Sequence, residues 1–352
     1  MLALDTLLHK KQLIMSVISI ITCSYNPDTR LLSRLLKALK TLEIPLGYEI
    51  EYILADNNSS TPLDTLEPYK SFFEENRDWA RMILEKKPGA THARVAAYLA
   101  SKGEIIINFD DDNEPQPDYL VQLIALRKKY PEVGVWGPGN VTVEFVGEPE
   151  EWTRKYALDK LQELHLQQVA ISKDFLHFDE IPFGTGMVLE RRVMESYKDI
   201  YLEAEAAQAV AAGRKGTSLL CSEDIQMVYM AARHDLAAGR APELKLTHLI
   251  NEYKSNFNYI KRLYYGCSLG GFPVLAQSFP DKKLDKANPL IDTLNFTLYN
   301  TYYFLKMGLL QGNIRKWQCQ TAGMIATVES KYTYYNKPLP TYLRTLKNFL
   351  KL

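Results

Sequence analysis

A short apolar run that ends in three aspartates constrains the fold of this chain more than any other feature. Residues 105–109 read Ile-Ile-Ile-Asn-Phe, which is the pattern of a strand buried on both faces of a parallel sheet. Asp110, Asp111 and Asp112 follow at once. Because open α/β sheets bind ligands at the carboxyl ends of their strands, this position favours a hard cation that receives an anionic ligand. A solvated acidic turn is the alternative, and the flanking sequence decides between the two.

The flanking sequence alternates between strand and helix. Such alternation predicts an α/β fold, with a mostly parallel sheet and helices on both faces. We predict strands at residues 17–22, 51–55, 81–84, 103–109, 133–136 and 243–247. We predict helices at residues 29–42, 90–101, 117–130, 152–169, 292–310, 314–327 and 341–352.

Composition excludes several classes of protein. The chain has 352 residues, 46% of them hydrophobic and 24% charged, so it is long enough for a buried core and an appendage. Basic and acidic residues both number 42, so no overall charge points to nucleic acid. The four cysteines are far apart and form no CxxC, which argues against a disulfide scaffold or a zinc ribbon and favours a reducing compartment. They are Cys23, Cys221, Cys267 and Cys319.

The amino-terminal residues imitate an export signal. Basic residues precede an apolar run at 13–22, and Cys23 follows as in a lipoprotein signal. However, Thr22 is a poor residue before a lipidated cysteine, and residues 17–21 also serve as a first strand. We therefore expect residues 1–14 to be a possible leader, with Met15 as an alternative start, and the protein to stay in the cytoplasm.

Five motifs in this order resemble those of family 2 glycosyltransferases of the GT-A fold. They are Ser24-Tyr25-Asn26, Asp56-Asn57-Asn58-Ser59-Ser60, Gly89-Ala90-x-x-Ala93-Arg94, Phe109-Asp110-Asp111-Asp112 and Ser222-Glu223-Asp224. The resemblance spans roughly residues 16–271. It implies an inverting enzyme that uses a nucleotide-sugar, with UDP as the expected nucleotide and Mn²⁺ or Mg²⁺ as cofactor. It also implies a catalytic domain at 15–271 and a helical extension at 272–352.

On the donor side, the turn after the first strand offers hydroxyl and backbone groups to a nucleotide. Thr22, Ser24 and Tyr25 are the expected contacts for its base and ribose. Asp56 could accept a hydrogen bond from uracil N3–H, or could close an Asx turn. The resemblance implies that Arg94 lies near the pyrophosphate, whereas on an isolated helix it would be a surface arginine.

The resemblance gives each aspartate of the Asp-x-Asp-like motif a different role. Asp112 is expected to bind the metal, and Asp110 to bind the ribose or a metal-bound water. Asp111 would be the variable middle residue of the donor site. Mg²⁺ and Mn²⁺ prefer such oxygen ligands and share the remaining positions with phosphates and water. His248 is expected near the metal and diphosphate as a ligand, although a lone histidine is often structural.

The segment Ser222-Glu223-Asp224 looks like the start of a helix, with Ser222 as its N-cap and two carboxylates in the first turn. That is a sufficient structural explanation in isolation. The resemblance implies instead that Asp224 removes the acceptor proton, with Glu223 as a helper, since an inverting transfer needs one base opposite the leaving group. Gly186 is expected to let the backbone approach the donor sugar, or simply to form a tight turn.

Three functions compete on this sequence. The first is a non-processive sugar transferase of cell-surface polysaccharide or glycolipid assembly, whose acceptor is a saccharide or lipid-linked saccharide and not a nucleic acid. The second is a sugar-phosphate nucleotidyltransferase, which would need a Gly-rich basic loop that residues 24–28 lack. The third is a non-catalytic GT-A binding protein, which would be expected to have lost an acidic motif. The absence of Gln-x-x-Arg-Trp argues against processive synthases.

The last predicted helix, at residues 341–352, is amphipathic. Its apolar side chains oppose basic ones, so it could rest on an anionic membrane at the inner face of the cell membrane. Packing against the catalytic domain is the alternative. The apolar residues are Leu343, Leu346, Phe349 and Leu350, and the basic residues are Arg344, Lys347 and Lys351.

Overall fold

The computed structural model describes residues 15–206, 219 and 222–352. The possible leader predicted at 1–14 therefore lies outside the described residues, as does Cys221. The strands are β1 (Ser16–Ser24), β2 (Tyr48–Asp56), β3 (Ala80–Leu84), β4 (Ile105–Asn108), β5 (Asn113–Pro115), β6 (Val133–Val146), β7 (Leu164–His165), β8 (Ala170–Ser172), β9 (Met187–Glu190) and β10 (Ala237–Asn251).

The helices follow the predicted alternation in the first half of the chain and dominate its end. They are α1 (Thr29–Lys40), α2 (Tyr69–Glu75), α3 (Ala90–Ala100), α4 (Tyr119–Lys129), α5 (Glu151–Tyr156), α6 (Arg191–Ala206), α7 (Glu223–Tyr229), α8 (Phe257–Leu269), α9 (Gly271–Ser278), α10 (Pro289–Tyr303), α11 (Ile314–Tyr334) and α12 (Thr341–Leu350). A π-helical segment, Phe304–Leu310, continues α10.

The strands of the described residues form one mixed sheet in the order β3-β2-β1-β4-β9-β6-β10-β5. The first four strands pair in parallel, as the alternation predicts. Strand β9 is antiparallel to β4 on one side and to β6 on the other, so it joins the two halves of the sheet. The short strands β7 and β8 pair with β6 and β10.

Helices cover both faces of this sheet. Because successive residues of a strand point to opposite faces, each strand contributes side chains to two cores. Ile105 and Ile107 of β4 belong to one core, with residues of α1, α2 and α4. Ile106 of the same strand belongs to the other core, with residues of α3, α6 and α7. A continuous apolar run is therefore required in this strand, and the sequence supplies it.

Parallel pairing brings the carboxyl ends of β1, β2 and β4 to the same edge. Ser24 lies opposite Asp56 in the register, and the backbone N–H of Phe109 donates to Ile21. The aspartates 110–112 therefore emerge beside the loop that follows β1. On the other side, antiparallel β5 pairs Asn113 with His248 of β10.

The helix predicted at 152–169 is wrong beyond its first turns. Only α5 is helical, and Gln162 then adopts a left-handed backbone conformation with φ 74°. The chain continues as β7 and β8, whose backbones bond to the long strands β6 and β10. The strand predicted at 243–247 is likewise only the middle of β10.

The carboxyl-terminal helices pack on the sheet-bearing part of the chain. Cys319 of α11 shares a core with Ile260 and Leu263 of α8. Leu343 and Leu350 of α12 pack with residues of α10 and α11, and Leu346 lies against the same core. The predicted boundary at 271/272 lies in the first turn of α9, and the division into two domains stays a prediction.

This packing corrects the expectation that α12 offers its apolar face to a membrane. Three of the four apolar residues face the protein, because α12 covers apolar side chains of α10 and α11, and Phe349 alone of the four remains exposed. The packing alternative is the one found. Among the described residues, no helix is both long enough and apolar enough to span a bilayer.

Candidate functional site

Two adjoining cavities open at the carboxyl edge of the sheet. The first has a volume of about 530 Å³ and the second about 310 Å³, and both are lined by Cys23, Asp111 and Lys254. The remaining polar lining of the first cavity comes from Ser24, Tyr25, Asn26, Asp28, Asn57, Asn58, Asn251, Tyr253 and Tyr259. The second cavity is also lined by Arg94, Asp110, Asp112, Phe183, Thr185, Glu223, Asp224 and His248.

Asn113 holds the three aspartates in a tight turn. Its backbone N–H donates to the carbonyl of Asp110, and its side-chain oxygen accepts from the N–H of Asp110, each at 3.0 Å. Its side-chain amide donates to Oδ1 of Asp112 at 3.1 Å. The turn therefore fixes the direction of the Asp112 carboxylate before any ligand arrives.

Asp112 is buried among positive and polar groups. Lys254 Nζ donates to its Oδ2 at 2.5 Å, and His248 Nε2 lies 3.5 Å from its Oδ1. Burial alone raises the pKa of Asp112, but Lys254 and His248 more than offset this, so the pKa lies far below its usual range. Asp112 is therefore a carboxylate that is already paired with a cation.

The hydrogen bond at the other ring nitrogen of His248 fixes its tautomer. Nδ1 lies 2.8 Å from the carbonyl of Leu161, and since a carbonyl only accepts, Nδ1 carries the proton. Nε2 is then the ring nitrogen that faces Asp112. This is the arrangement that metal-binding histidines adopt when a backbone carbonyl orients them.

Asp111, predicted as the variable middle residue, is held by a hydrogen bond and is buried. It accepts a hydrogen bond of 2.5 Å from Ser24 and lines both cavities. Burial raises its pKa to about 6, and the adjacent Asp112 carboxylate adds to this effect. Ser24 and Asp111 therefore form a polar link between the loop after β1 and the aspartate turn.

Arg94 lies in the second cavity and faces the pair of acids at the start of α7. Its Nη1 is 3.6 Å from Glu223 Oε1 and 3.7 Å from Asp224 Oδ1. Burial alone lowers the pKa of this guanidinium, but Asp224 and Glu223 more than offset it, so Arg94 stays charged. Arg94 is therefore ion-paired with the acids of α7 in the cavity that the aspartate turn also lines, and its position beside a pyrophosphate stays a prediction.

The first turn of α7 lacks the expected cap. Ser222 occupies the N-cap position, but its hydroxyl makes no capping hydrogen bond, which corrects that prediction. Glu223 is buried, whereas the Asp224 side chain is 24% exposed. Of the two acids, Asp224 is therefore the one that solvent or a substrate hydroxyl can reach.

Gly184 and Gly186 have different roles in the loop before β9. A Cβ on Gly184 would collide with the Asp224 carboxylate, so this glycine gives the acid its space. Gly186 has φ 64°, and its carbonyl accepts a hydrogen bond of 2.6 Å from the Tyr119 hydroxyl; it lines neither cavity. The tight-turn alternative is therefore the one found for Gly186.

On the nucleotide side, Ser24 and Tyr25 line the first cavity as expected, but Thr22 does not. Thr22 is buried within β1, because this strand continues to Ser24, two residues further than predicted. Asp56 closes an Asx-type loop, with its oxygens accepting from the N–H groups of Ser59 and Leu63 at 2.9 and 3.2 Å. Asp56 lines neither cavity, and its contact with a base stays a prediction.

Two functional candidates were missed from the sequence. Lys254 lies in a short 3-10 helix after β10 that Asn251 caps, a weak signal in the sequence. Asn57 belongs to a motif already noted, but its role was not foreseen. Its side chain accepts from Gly89 N–H at 2.7 Å and donates to the Lys87 carbonyl at 2.7 Å, which fixes the loop before α3.

The residues present are chemically suited to part of a divalent cation site. Among the described residues (15–206, 219 and 222–352), no group of three or more His, Cys, Asp or Glu side chains is arranged to hold a metal ion. Asp112 and His248 nevertheless offer a carboxylate and a ring nitrogen, and the Lys254 ammonium already stands in for a cation at Asp112. A half-site of this kind suits an ion that also binds the phosphates of its ligand.

Comparisons with known proteins agree with this architecture. An N-acetylglucosaminyltransferase of Bradyrhizobium elkanii is 22% identical over 127 residues, which are 36% of this chain and 68% of that protein. The crystal structure of GalNAc-T7 with UDP, GalNAc and Mn²⁺ is similar in fold, with a TM-score of 0.50, 14% identity, and coverage of 76% of this chain and 55% of that one. S. aureus TarS 1–349 in complex with UDP-GlcNAc has a TM-score of 0.46 at 13% identity, with 93% of each chain covered.

The family model described as glycosyl transferase family 2 matches residues 19–187, which include most of β1, the aspartate turn and the first residue of β9. The fold is that of the GT-A glycosyltransferases. Residues 19–187 are therefore similar to glycosyl transferase family 2.

Proposed function

We propose that the chain transfers a sugar from a nucleoside diphosphate sugar, with UDP as the nucleotide, to an acceptor hydroxyl with inversion at the anomeric carbon. One observation carries the proposal: the aspartate turn and the Arg94-held acids at the start of α7 line the same cavity. That cavity adjoins a larger one of about 530 Å³, which is within the size range of small-molecule sites.

The first cavity would hold the nucleotide. Tyr25 offers an exposed ring, and Asn58 and the loop after β1 offer polar groups to a base and ribose. Gly89 and Ala90 line this cavity at the start of α3, where the helix dipole favours an anion such as the diphosphate. Lys254 lines both cavities, so its ammonium lies within the region that the phosphates would occupy.

Asp112 and His248 would hold a divalent cation, Mn²⁺ or Mg²⁺, which would neutralise negative charge on the departing diphosphate. Asp111 and Asp110 would complete the polar wall on this side through the donor ribose or bound water. Because Asn113 and Leu161 orient Asp112 and His248 through hydrogen bonds, this half-site is organised in advance.

Asp224 would act as the base. The acceptor oxygen would form its bond to the anomeric carbon while the bond to the diphosphate oxygen breaks on the opposite face, and the acceptor proton would pass to the Asp224 carboxylate. Arg94 Nη1, 3.7 Å from Asp224 Oδ1, would keep this carboxylate oriented. Glu223, which is buried beside the same guanidinium, would share in positioning Arg94.

The acceptor we propose is a saccharide or a lipid-linked saccharide of cell-surface polysaccharide or glycolipid assembly. We further propose a cytoplasmic location, since nucleotide-sugars are made there. The relative from Bradyrhizobium elkanii supports a transferred N-acetylglucosamine as the first sugar to try.

An Asp224→Asn variant tests the proposed base. We expect donor binding to remain and transfer to fall by about 10² to 10⁴, because the amide cannot accept the proton. The measurement is nucleoside diphosphate release from a panel of nucleotide-sugars, together with calorimetric binding of the nucleotide. Asp235→Asn makes the same chemical change at a carboxylate that is 91% exposed, and it should leave turnover unchanged. Equal turnover of the Asp224→Asn variant and the wild type would remove Asp224 from the mechanism.

A further inference from the structure

A long apolar stripe lies exposed on α10 and the π-helical segment that continues it. The side chains of this stripe are between 48% and 85% exposed, although all of them are large and apolar or aromatic. They are Leu290, Ile291, Leu294, Leu298, Tyr299, Tyr302, Leu305, Leu309 and Leu310. Contiguous apolar patches of this kind mark protein or membrane interaction sites.

The spacing puts these side chains on one side of the helix. Leu294, Leu298, Tyr302, Leu305 and Leu309 follow one another at intervals of three or four residues. The opposite side of the same helix is buried against α11 and α12. The 22 residues from Pro289 to Leu310 extend over about 33 Å at the usual rise of a helix.

The surrounding charge is strongly asymmetric. Residues 281–352 contain eleven Lys or Arg but only four Asp or Glu, in a chain whose basic and acidic residues balance. Within α10 and the π-helical segment, the charged residues are Asp292, which is buried and paired with Lys331, and the exposed Lys306. The stripe is therefore almost uncharged, and the helical unit that carries it is basic.

We propose that this stripe is a membrane-binding surface that lies flat on a bilayer rich in anionic lipid. Leucines would enter the boundary between headgroups and acyl chains, and tyrosines would stay at the level of the headgroups. The excess of basic residues in the segment 281–352 would attract this part of the chain to the lipid phosphates, although Arg315, Lys331 and Lys347 are paired with acids of the protein. A second copy of this chain is the weaker occupant, because it would bring two basic helical units together.

The position of the stripe also assigns this role to α10 rather than to α12. The apolar face of α12 packs against α10 and α11. Of its four apolar residues named above, Phe349 alone is exposed, and the basic residues Arg344 and Lys351 of the same segment are exposed as well. Lys306 has an apolar stem and a terminal charge, so it can reach the headgroups from the edge of the stripe. The surface is separate from both cavities, so the inference does not depend on the proposed reaction.

The test is sedimentation of the full chain with vesicles of phosphatidylcholine alone or mixed with phosphatidylglycerol. We expect binding to the mixed vesicles that weakens with added salt. The triple variant Leu294→Gln, Leu298→Gln, Leu305→Gln should bind at least about tenfold more weakly, since each leucine loses its apolar burial in the lipid. The matched control carries the same changes at exposed leucines elsewhere, Leu46, Leu84 and Leu99, and should bind like the wild type.

A second variant changes lysines instead of leucines, so it tests the membrane surface even if the leucine variant folds poorly. Lys282→Gln, Lys283→Gln, Lys286→Gln leaves the stripe intact and should abolish the preference for phosphatidylglycerol. Equal vesicle binding by the wild type and a folded leucine variant would overturn the proposal. The proposal would also be overturned if the wild type is a dimer in sedimentation equilibrium, and if the leucine variant is a monomer with unchanged vesicle binding. The stripe would then be the contact surface for a second copy of the chain.

Discussion

At the scale of single residues, Lys254 and a divalent cation would compete for one carboxylate. Lys254 Nζ lies 2.5 Å from Asp112 Oδ2, on the residue that the proposed mechanism assigns to the metal. Because two cations repel each other at such a distance, the ammonium must move away or weaken the binding of the ion. If the proposed cation binds at Asp112, Lys254 would therefore weaken its binding to the free protein.

We predict that Lys254→Met raises the affinity for Mn²⁺ in the absence of nucleotide, on the order of tenfold, because the competing ammonium is gone. Calorimetric titration with MnCl₂ measures this directly. Lys173→Met, which removes a lysine paired at 2.7 Å with the exposed Asp235, is the control and should have no effect. In Asp112→Asn, Mn²⁺ should no longer strengthen UDP binding. Unchanged Mn²⁺ affinity in Lys254→Met would show that the lysine does not compete.

The residue types in the sequence predicted most of the side chains that line the candidate site. The end of a strand, however, was misplaced by two residues. The aspartate run and the Glu223-Asp224 pair stand out because clustered carboxylates are costly without a function or a partner. Thr22 is buried within β1 and lines neither cavity, because the end of β1 was predicted two residues too early. Lys254 was missed because its contact with Asp112 depends on the pairing of β5 with β10, which no local pattern reveals.

At the scale of secondary-structure elements, Glu51 ties three parts of the sheet together from inside β2. Its Oε1 accepts from the Ser19 hydroxyl of β1 and from the N–H of Lys102, each at 2.6 Å. Its Oε2 lies 3.0 Å from Arg81 Nη2 of β3. Burial alone raises the pKa of Glu51, but these three partners outweigh it and lower the pKa.

We predict that Glu51→Gln lowers the free energy of unfolding at pH 7 by about 1–3 kcal/mol, since it weakens a buried, charge-assisted network. A lowered pKa in the folded state means that ionised Glu51 stabilises the fold above the unfolded pKa, and that this stabilisation is lost as the pH falls through the folded value. The difference between wild type and variant should therefore shrink below about pH 4.5.

Urea denaturation at pH 7 and pH 4 measures both effects. Glu49→Gln changes a neighbouring glutamate that is 50% exposed, and it should shift the midpoint little at either pH. A difference for Glu51→Gln that is the same at both pH values would contradict the assigned role.

Elements with a strong local pattern were predicted well, and elements that depend on distant partners were not. Strand β4 is apolar on both faces, and α1 has a regular leucine stripe, so periodicity identifies both. Strands β6 and β10 run for 14 and 15 residues, far longer than expected, because their polar outer halves are held by pairing with each other. Pairing across about a hundred residues leaves no trace in a local window.

At the scale of the whole molecule, α12 holds the carboxyl-terminal helices together. Leu343 is fully buried against Phe296 of α10 and Ile325 of α11. We predict that Leu343→Ala lowers the free energy of unfolding by about 2–5 kcal/mol through the cavity it leaves. Phe349→Ala, at a residue 71% exposed on the same helix, should change it by less than about 0.5 kcal/mol. Urea denaturation distinguishes them, and equal effects would show that α12 is not part of this core.

The topology of the sheet also determines the order in which a growing chain can complete its active site. Strands β1 to β4 can pair once the first 108 residues have left the ribosome, but β4 then keeps an open edge until β9 arrives at residue 187. Asp112 meets His248 and Lys254 only after β10 has paired with β5. During synthesis the part of the first cavity that follows β1 and β2 can therefore form early, whereas its wall at residues 251–259 and the candidate cation half-site form only after most of the sheet is complete.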